Sequence, residues 1–313
     1  MSDFTFLTEE QCFGSDKLDI LKKRGTKAAI TDFSILLGAY VSDYHINNDS
    51  SLDGRTGGYW TKSESDYGNN TACVVRKSGS SACFFVSARE CGARPALPFS
   101  EASSIPTNGE SVKRAKDGVL EVEYGYYPQK AVSTDMQEIL ERAYESGNIS
   151  KTGNTYTTDS RKPNAYNEKF IPIQHEEYEY NGKRYIRVKK IFDYSNIYLD
   201  ASCTLSNGKD YREGDDVWVE VLPVKWLVDE RAKVMITDKL IFSGVQFNHT
   251  SNYRIRDFDR TDIKIFMDRY LSRDLVQSRG IAEQTRTSSK ATEKNKNPYN
   301  LDFSETSEAD IIR

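Results

Sequence analysis

The chain has 313 residues and carries 43 Lys and Arg against 47 Asp and Glu, a net charge of −4 with a pI near 5.6. That balance disfavours non-specific polyanion binding, and at roughly 150 residues per domain the length suggests about two domains. Hydrophobic residues reach only 37%, yet 19 Tyr, 14 Phe and 3 Trp supply large areas to bury, which disfavours a disordered chain, a coiled coil, collagen and a small disulfide scaffold.

In chain order, residues 1–30 read as a mixed, polar N-terminal extension. The start MSDFTFLTEEQCFGSD is acidic and lacks the apolar region of a signal peptide. Residues 31–44, with Phe33, Ile35, Leu36 and Leu37 before Gly38, read as a strand or a buried helical turn. Residues 45–58 are loop-like. Next come three strand-like pieces: GYWTKSE, then TACVVR and ACFFVSA flanking the turn KSGS. That turn signals a hairpin, because Gly79 tolerates positive φ. The segment ends at GARPALPFS, where Pro95 and Pro98 suit an edge or a strand end. Residues 99–117 read as a linker, and GVLEVEYGYYPQ as an alternating strand.

The clearest helix is 134–148, where Met136, Ile139, Leu140, Ala143 and Tyr144 fall on one face. Ser133 or Thr134 caps it and Gly147 ends it. Residues 148–170 read as a long polar surface loop. EEYEYNGKRYIRVKK reads as a hairpin turning at Asn181-Gly182. DDVWVEVLPVKWLVDE and AKVMITDKLIF read as two more strands, and 261–271 as a second amphipathic helix with Ile263, Phe266, Met267, Tyr270 and Leu271 on one face. Residues 277–313 read as a disordered tail. No run approaches 18 apolar residues, so no membrane span is expected.

Four short signatures carry a resemblance. Tyr127-Pro128-Gln129, Leu222-Pro223-Val224-Lys225-Trp226, Tyr59-Trp60-Thr61-Lys62-Ser63 and Gly92-Ala93-Arg94-Pro95-Ala96-Leu97 resemble the start, middle and end of an uncharacterised bacterial and phage domain family. Lys62 stands where the family usually has Arg, and Ala93 where it often has Val. The end piece precedes the start piece here, the order that a circular permutation gives. The resemblance implies an α+β, C-type-lectin-like fold of the formylglycine-generating-enzyme type. Mixed antiparallel sheets and two main helices would be assembled from segments 31–98 and 118–276, in permuted order.

The same fold carries the variable proteins of diversity-generating retroelements, in which the stretch before the terminal G-x-R strand forms the binding face. Randomised AAC codons there yield Asn, Tyr, Ser, Asp, Cys, Phe, Arg and Gly but never Lys, Glu, Gln, Met or Trp. Ser65, Tyr67, Asn69, Asn70, Cys73, Ser81, Cys83, Phe85 and Cys91 fit that set. With Arg76 and Arg89, these residues form the expected ligand-binding face, which combines rings, amides, Ser and Arg as a paratope does. The expected partner is a protein or a cell-surface ligand, and the expected location the cytoplasm or a phage particle. The tail from Asn297 to Arg313 resembles a segment preceding an AAA+ ATPase module in similar proteins, which implies an ATPase partner and, as one alternative function, a regulatory module of a phage or defence system coupled to that ATPase.

Other chemistry reads more weakly. The cysteines Cys12, Cys73, Cys83, Cys91 and Cys203 and the histidines His45, His175 and His249 form no CxxC or HxxxH pair, so no metal is expected. Cys73 and Cys83 lie on the two arms of the KSGS hairpin, which leaves open plain thiols, a disulfide, a metal pair or the thiol pair of a formylglycine-generating-type oxidase, another alternative function. The lectin calcium motifs are absent, as are GxxxxGK[ST] and GxGxxG. No cofactor and no nucleic-acid partner is expected; VKRAK (112–116) reads as a solvated linker. The carboxylate pairs Glu176-Glu177, Asp215-Asp216 and Asp229-Glu230 read as solvated strand ends. Trp60, Arg94, Pro95, Tyr127, Pro128, Gln129, Trp218 and Trp226 read as scaffold.

Overall fold

The computed structural model describes residues 4–41, 55–109, 112–162, 168, 170–192 and 204–277. His45, Cys203 and the tail from 278 onward lie outside the described residues. In chain order the elements are α1 (Glu9–Phe13), α2 (Asp19–Arg24), β1 (Ala28–Ile30), α3 (Asp32–Leu36), β2 (Thr56–Gly57), β3 (Tyr59–Glu64), β4 (Thr71–Val75), β5 (Ser81–Phe85), β6 (Ala96–Pro98), β7 (Lys113–Arg114), β8 (Leu120–Ala131), α4 (Thr134–Glu145), β9 (Ser150–Asp159), β10 (Pro172–Tyr180), β11 (Lys183–Lys189), β12 (Asp216–Asp229), β13 (Val234–Thr237), β14 (Lys239–Leu240), α5 (Asp262–Phe266) and α6 (Ser272–Val276). The class is α+β.

β12 organises the largest sheet. Its Val-rich alternation suits a strand buried on both faces, and β8 runs antiparallel along one edge from Val219 to Val228. The other edge is shared by β11, opposite Asp216–Glu220, and by β13, opposite Trp226–Asp229. Between the two, Pro223 has no N–H to offer a ladder. Gln129 donates its amide to the carbonyls of Leu222 (3.0 Å) and Pro223 (2.9 Å), which satisfies the irregular backbone there. β11 continues through β10 to β9, and β13 continues to β6.

The four signatures therefore meet. The Tyr-Pro-Gln strand faces the Leu-Pro-Val-Lys-Trp strand with Tyr127 opposite Leu222. β13 joins the latter to β6 at the end of Gly-Ala-Arg-Pro-Ala-Leu. Trp60 of β3 donates its N–H to the carbonyl of Gly92 (3.4 Å). One buried cluster contains Phe33, Trp60, Ala93, Tyr127, Trp226 and Met235, so segments 31–98 and 118–276 share a core.

The scaffold residues are held by specific contacts. Tyr127 lies edge-on to Phe33 (5.7 Å) and Tyr156 (5.5 Å). The indole N–H of Trp226 bonds to the carbonyl of Tyr124 (2.9 Å), and Phe4 stacks on its ring at 6.0 Å. Arg94 donates to the carbonyl of Thr237 (2.9 Å) and to the hydroxyl of Tyr59 (3.4 Å). The carbonyl of Pro95 accepts from Thr237 N–H (3.1 Å), and Pro128 sits opposite Val221. A second cluster holds Trp218, Tyr178 and Tyr185 beneath Leu140 of α4. There the Trp218 indole N–H bonds to the Glu141 carboxylate (2.8 Å), and Ser133 accepts from Met136 N–H (3.3 Å) to start α4.

Four expectations are corrected. The N-terminal residues are not an extension, because Phe4, Phe6, Leu7, Cys12, Leu18, Ile20 and Leu21 are buried in the main cluster. A reciprocal cap sets α1 on this segment: Thr8 accepts from Gln11 N–H (3.0 Å) and the Gln11 side chain accepts from Thr8 N–H (2.9 Å). Within the expected loop 148–170, Ser150–Asp159 form β9, paired to β10 and burying Tyr156. In the expected linker 99–117, Lys113 and Arg114 pair with β8. The second helix runs past its expected end at residue 271, with the π-helical turn Met267–Leu271 joining α5 to α6.

Candidate ligand-binding face

β3, β4 and β5 form a separate antiparallel sheet in that order, with β5 at an edge. Gly79 has φ +85, as the hairpin turn requires. Its carbonyl accepts from the Thr26 hydroxyl (2.6 Å), so the N-terminal segment also holds the hairpin tip. One face of the sheet joins the core through Trp60, Val74, Ala82 and Phe84, with Trp60 against Phe247 at 5.2 Å.

The opposite face is partly covered by the N-terminal segment. Lys62 N–H bonds to the carbonyl of Leu7 (2.9 Å), and Glu9 N–H to the Ser63 hydroxyl (2.8 Å). The Ser81 hydroxyl donates to the Glu9 carboxylate. Tyr59, Cys73 and Val75 are buried in consequence.

This arrangement divides the eleven expected contact residues. Tyr67, Asn69, Asn70, Arg76, Ser81 and Phe85 are exposed, and Cys83 is half-buried. Ser65, Cys73, Arg89 and Cys91 are buried and cannot contact a ligand in this structure. Arg89 is enclosed because it ties the hairpin to the rest of the chain. Its guanidinium bonds to the carbonyls of Gly244 (2.6 Å) and Lys162, and pairs with Asp159 at 3.0 Å. Burial pushes the Cys91 thiol well above its ordinary range. Ser65 acts from below, accepting from Tyr67 N–H (3.1 Å) and so fixing the loop.

Two rings project from the same end of the sheet. Tyr67 is 86% exposed and Phe85 63%, the two most exposed large apolar side chains among the described residues. Thr71, which follows the Tyr67 loop, pairs with Phe85. The loop is braced on several sides. Thr71 donates to the carbonyl of Gly68 (3.1 Å), Val86 N–H to that of Asn70 (2.9 Å), and Arg256 spans Glu64 (2.9 Å) and the Asn69 side-chain oxygen (2.7 Å). Sequence reasoning missed Arg256, since nothing in RIRDFDR announces a contact so far along the chain. Beneath the loop, Ser65, Asn69, Phe247 and Arg256 help line a small cavity, of about the least size that holds one water.

A larger groove of about 540 Å³ lies elsewhere, beside α4, β10 and β11. Several of its charges are paired: Arg187 with Glu141 (2.7 Å) and Asp216 (3.1 Å), Lys189 with Asp216 (2.9 Å), and Lys162 with Glu213. His175, at its floor, bonds to the Thr158 hydroxyl (2.8 Å), and burial lowers its pKa to about 4. Glu177, expected at a solvated strand end, is instead buried, accepting from Tyr156 (2.7 Å), Thr152 (2.9 Å) and Asn154 (2.9 Å). Asp229 is likewise buried, accepting from the N–H groups of Ile20 (3.2 Å) and Ala232 (2.9 Å). His249 caps a short turn with Ser251 (2.8 Å), while Asp262 takes its backbone N–H (2.6 Å).

Among the described residues, no group of three or more His, Cys, Asp or Glu is placed to hold a metal ion, and no helix is long and apolar enough to cross a membrane. No family model, curated protein or solved structure matches the chain.

Proposed function

We propose that the chain is a ligand-recognition module, a C-type-lectin-like domain in permuted order. Its contact face is built from Tyr67, Asn69, Asn70, Arg76, Ser81 and Phe85. The observation that carries the reading is the pair of exposed rings on a braced loop and strand, at 86% and 63% exposure. Aromatic side chains have only two rotatable bonds and so lose little entropy on contact, and flanking amides and hydroxyls supply adaptable hydrogen bonds. The permuted order draws support from three of the signatures lying in one sheet, on β8, β12 and β6, with the fourth bridged to them where β3 meets Gly92. The ligand is a protein. Among the described residues no strand lies beyond β5, so main-chain groups at the edge are available to an extended peptide beside Phe85. Within this reading the 540 Å³ groove is secondary, because Arg187, Lys189 and Asp216 in its lining are already engaged in ion pairs.

The test is panning of a random-peptide display library against the full chain, with counter-selection on the double variant Y67S/F85S. The reading expects enriched peptides that bind wild type and not the variant, while the two proteins melt alike. Peptides that bind both proteins equally would overturn it.

A further inference from the structure

Cys73 on β4 stands directly opposite Cys83 on β5. Arg76 N–H bonds to the carbonyl of Ser80 (2.8 Å) at one end of this ladder and Val86 N–H to that of Asn70 (2.9 Å) at the other. Counting inward from either end makes 73/83 a non-hydrogen-bonded pair. Cα atoms in such pairs lie about 4.5 Å apart, inside the range of about 4.4–6.8 Å that a disulfide spans. The two sulfurs are already 3.9 Å apart. Side-chain rotation alone closes that gap, with the backbone left in place.

The two thiols are unequal. Cys83 is half-buried on the edge strand, whereas Cys73 is buried and donates to the carbonyl of Glu64 (3.0 Å). Burial first, then the neighbouring Cys83 and the Glu9 carboxylate, push the Cys73 thiol up. Cys83 is thus the thiol that a reagent meets, and Cys73 the one held behind it.

We propose that Cys73 and Cys83 are a reversible thiol–disulfide pair, closed by a low-molecular-weight disulfide such as oxidised glutathione. Cys83 loses its proton to solvent and its sulfur attacks one sulfur of oxidised glutathione. That S–S bond breaks, one glutathione leaves and takes up a proton, and a mixed disulfide remains on Cys83. Cys73 then loses its proton and attacks the Cys83 sulfur, forming the cross-strand bond and releasing the second glutathione. Two protein thiols give up two electrons, and one disulfide becomes two thiols. The bond fastens β5, and Phe85 at its end, to β4. The chemistry stands independently of the ligand reading.

The experiment incubates the reduced, folded full chain in reduced and oxidised glutathione at graded ratios, followed by acid quench, alkylation, intact mass and peptide mapping. Wild type should become lighter by two hydrogens, yield a linked Cys73–Cys83 peptide and retain no glutathione on Cys83. Cys73→Ser should trap the glutathione adduct on Cys83, and Cys83→Ser should abolish both adduct and link. Cys73→Ala repeats the trap should the serine variant fold poorly, and the wild-type result decides without either. A glutathione adduct persisting on Cys83 of wild type, no reaction at all, or a link that forms only in denaturant would overturn the proposal.

Discussion

Gly125 offers a quantitative test of how the end of the described chain packs on the Tyr-Pro-Gln strand. Its φ is +72, and a Cβ there would lie 2.4 Å from Leu275 Cγ, 2.5 Å from Cδ2 and 2.6 Å from the Leu275 carbonyl. Gly125→Ala therefore incurs two penalties. The left-handed backbone costs about 1 kcal/mol, and forcing a methyl group into packed atoms costs about 1–3 kcal/mol more. Together these amount to about 2–4 kcal/mol, or a fall in melting temperature of roughly 3–6 °C for a chain of this size. Gly147, at φ +71 with nothing within 4 Å of its Cβ position, is the control: Gly147→Ala should cost only the backbone share, about 1 kcal/mol. Leu275 is fully buried, and Leu275→Ala alone should cost about 2–5 kcal/mol. In the G125A background it should cost less by about 1 kcal/mol, because part of the clash disappears while the carbonyl contact stays. Urea unfolding of wild type and the four variants reads these differences. Equal costs for G125A and G147A, with L275A additive to G125A, would refute the close approach of α6 to β8.

Two buried groups give opposing pH signatures. His175, with its pKa lowered to about 4 from 6.5 by burial, contributes stability that is full above pH 6.5 and lost as pH falls towards 4. The loss reaches at most about 3 kcal/mol, and His175→Asn should remove it. Asp274, with its pKa raised to about 6 from 3.8, again chiefly by burial, keeps its proton in the fold, so its cost appears as pH rises through 6. Asp274→Asn should therefore stabilise the chain above pH 6 by up to about 3 kcal/mol and make no difference below pH 3.8. Denaturation midpoints across pH 3.5–7.5 for each single variant check both signs. Asp159→Asn should cost about 3–5 kcal/mol, since it leaves the buried guanidinium groups of Arg89 (3.0 Å) and Arg161 (2.8 Å) without their carboxylate; thermal melts measure it. Phe6→Ala should cost about 3–5 kcal/mol by calorimetry, because its ring is buried 5.5 Å from Phe258; a change near zero would restore the N-terminal residues to the role of an extension.

Features written in local chemistry were legible in the sequence. Asn181-Gly182 take φ of +52 and +74, as the hairpin reading requires, and the spacing of Leu140 and Ala143 marks the face that α4 buries. What escaped depends on distant partners. β9 reads SKTGNTYTTD, with no apolar alternation, and becomes a strand because β10 pairs with it and Tyr156 finds Glu177. Phe4, Phe6 and Cys12 fall in a short segment rich in Thr, Asp and Glu, too short for a period to reveal that they are buried. The candidate face was legible in composition but not in burial. Arg89 resembles any polar loop residue until Asp159 arrives beside it, and Cys73 resembles a strand surface until the N-terminal segment covers it.

The most direct test of the recognition face compares two exposed apolar pairs against one ligand selected on wild type. Tyr67 and Phe85 belong to the proposed face, whereas Ile171 (50% exposed) and Ile173 (42% exposed) lie at the start of β10. Binding by calorimetry to Y67S/F85S should weaken by about 100-fold or more, as expected when anchor residues of about 2 kcal/mol each are lost. I171S/I173S should bind as wild type does. Full affinity in Y67S/F85S with loss in I171S/I173S would contradict the account and move recognition to the β10 surface.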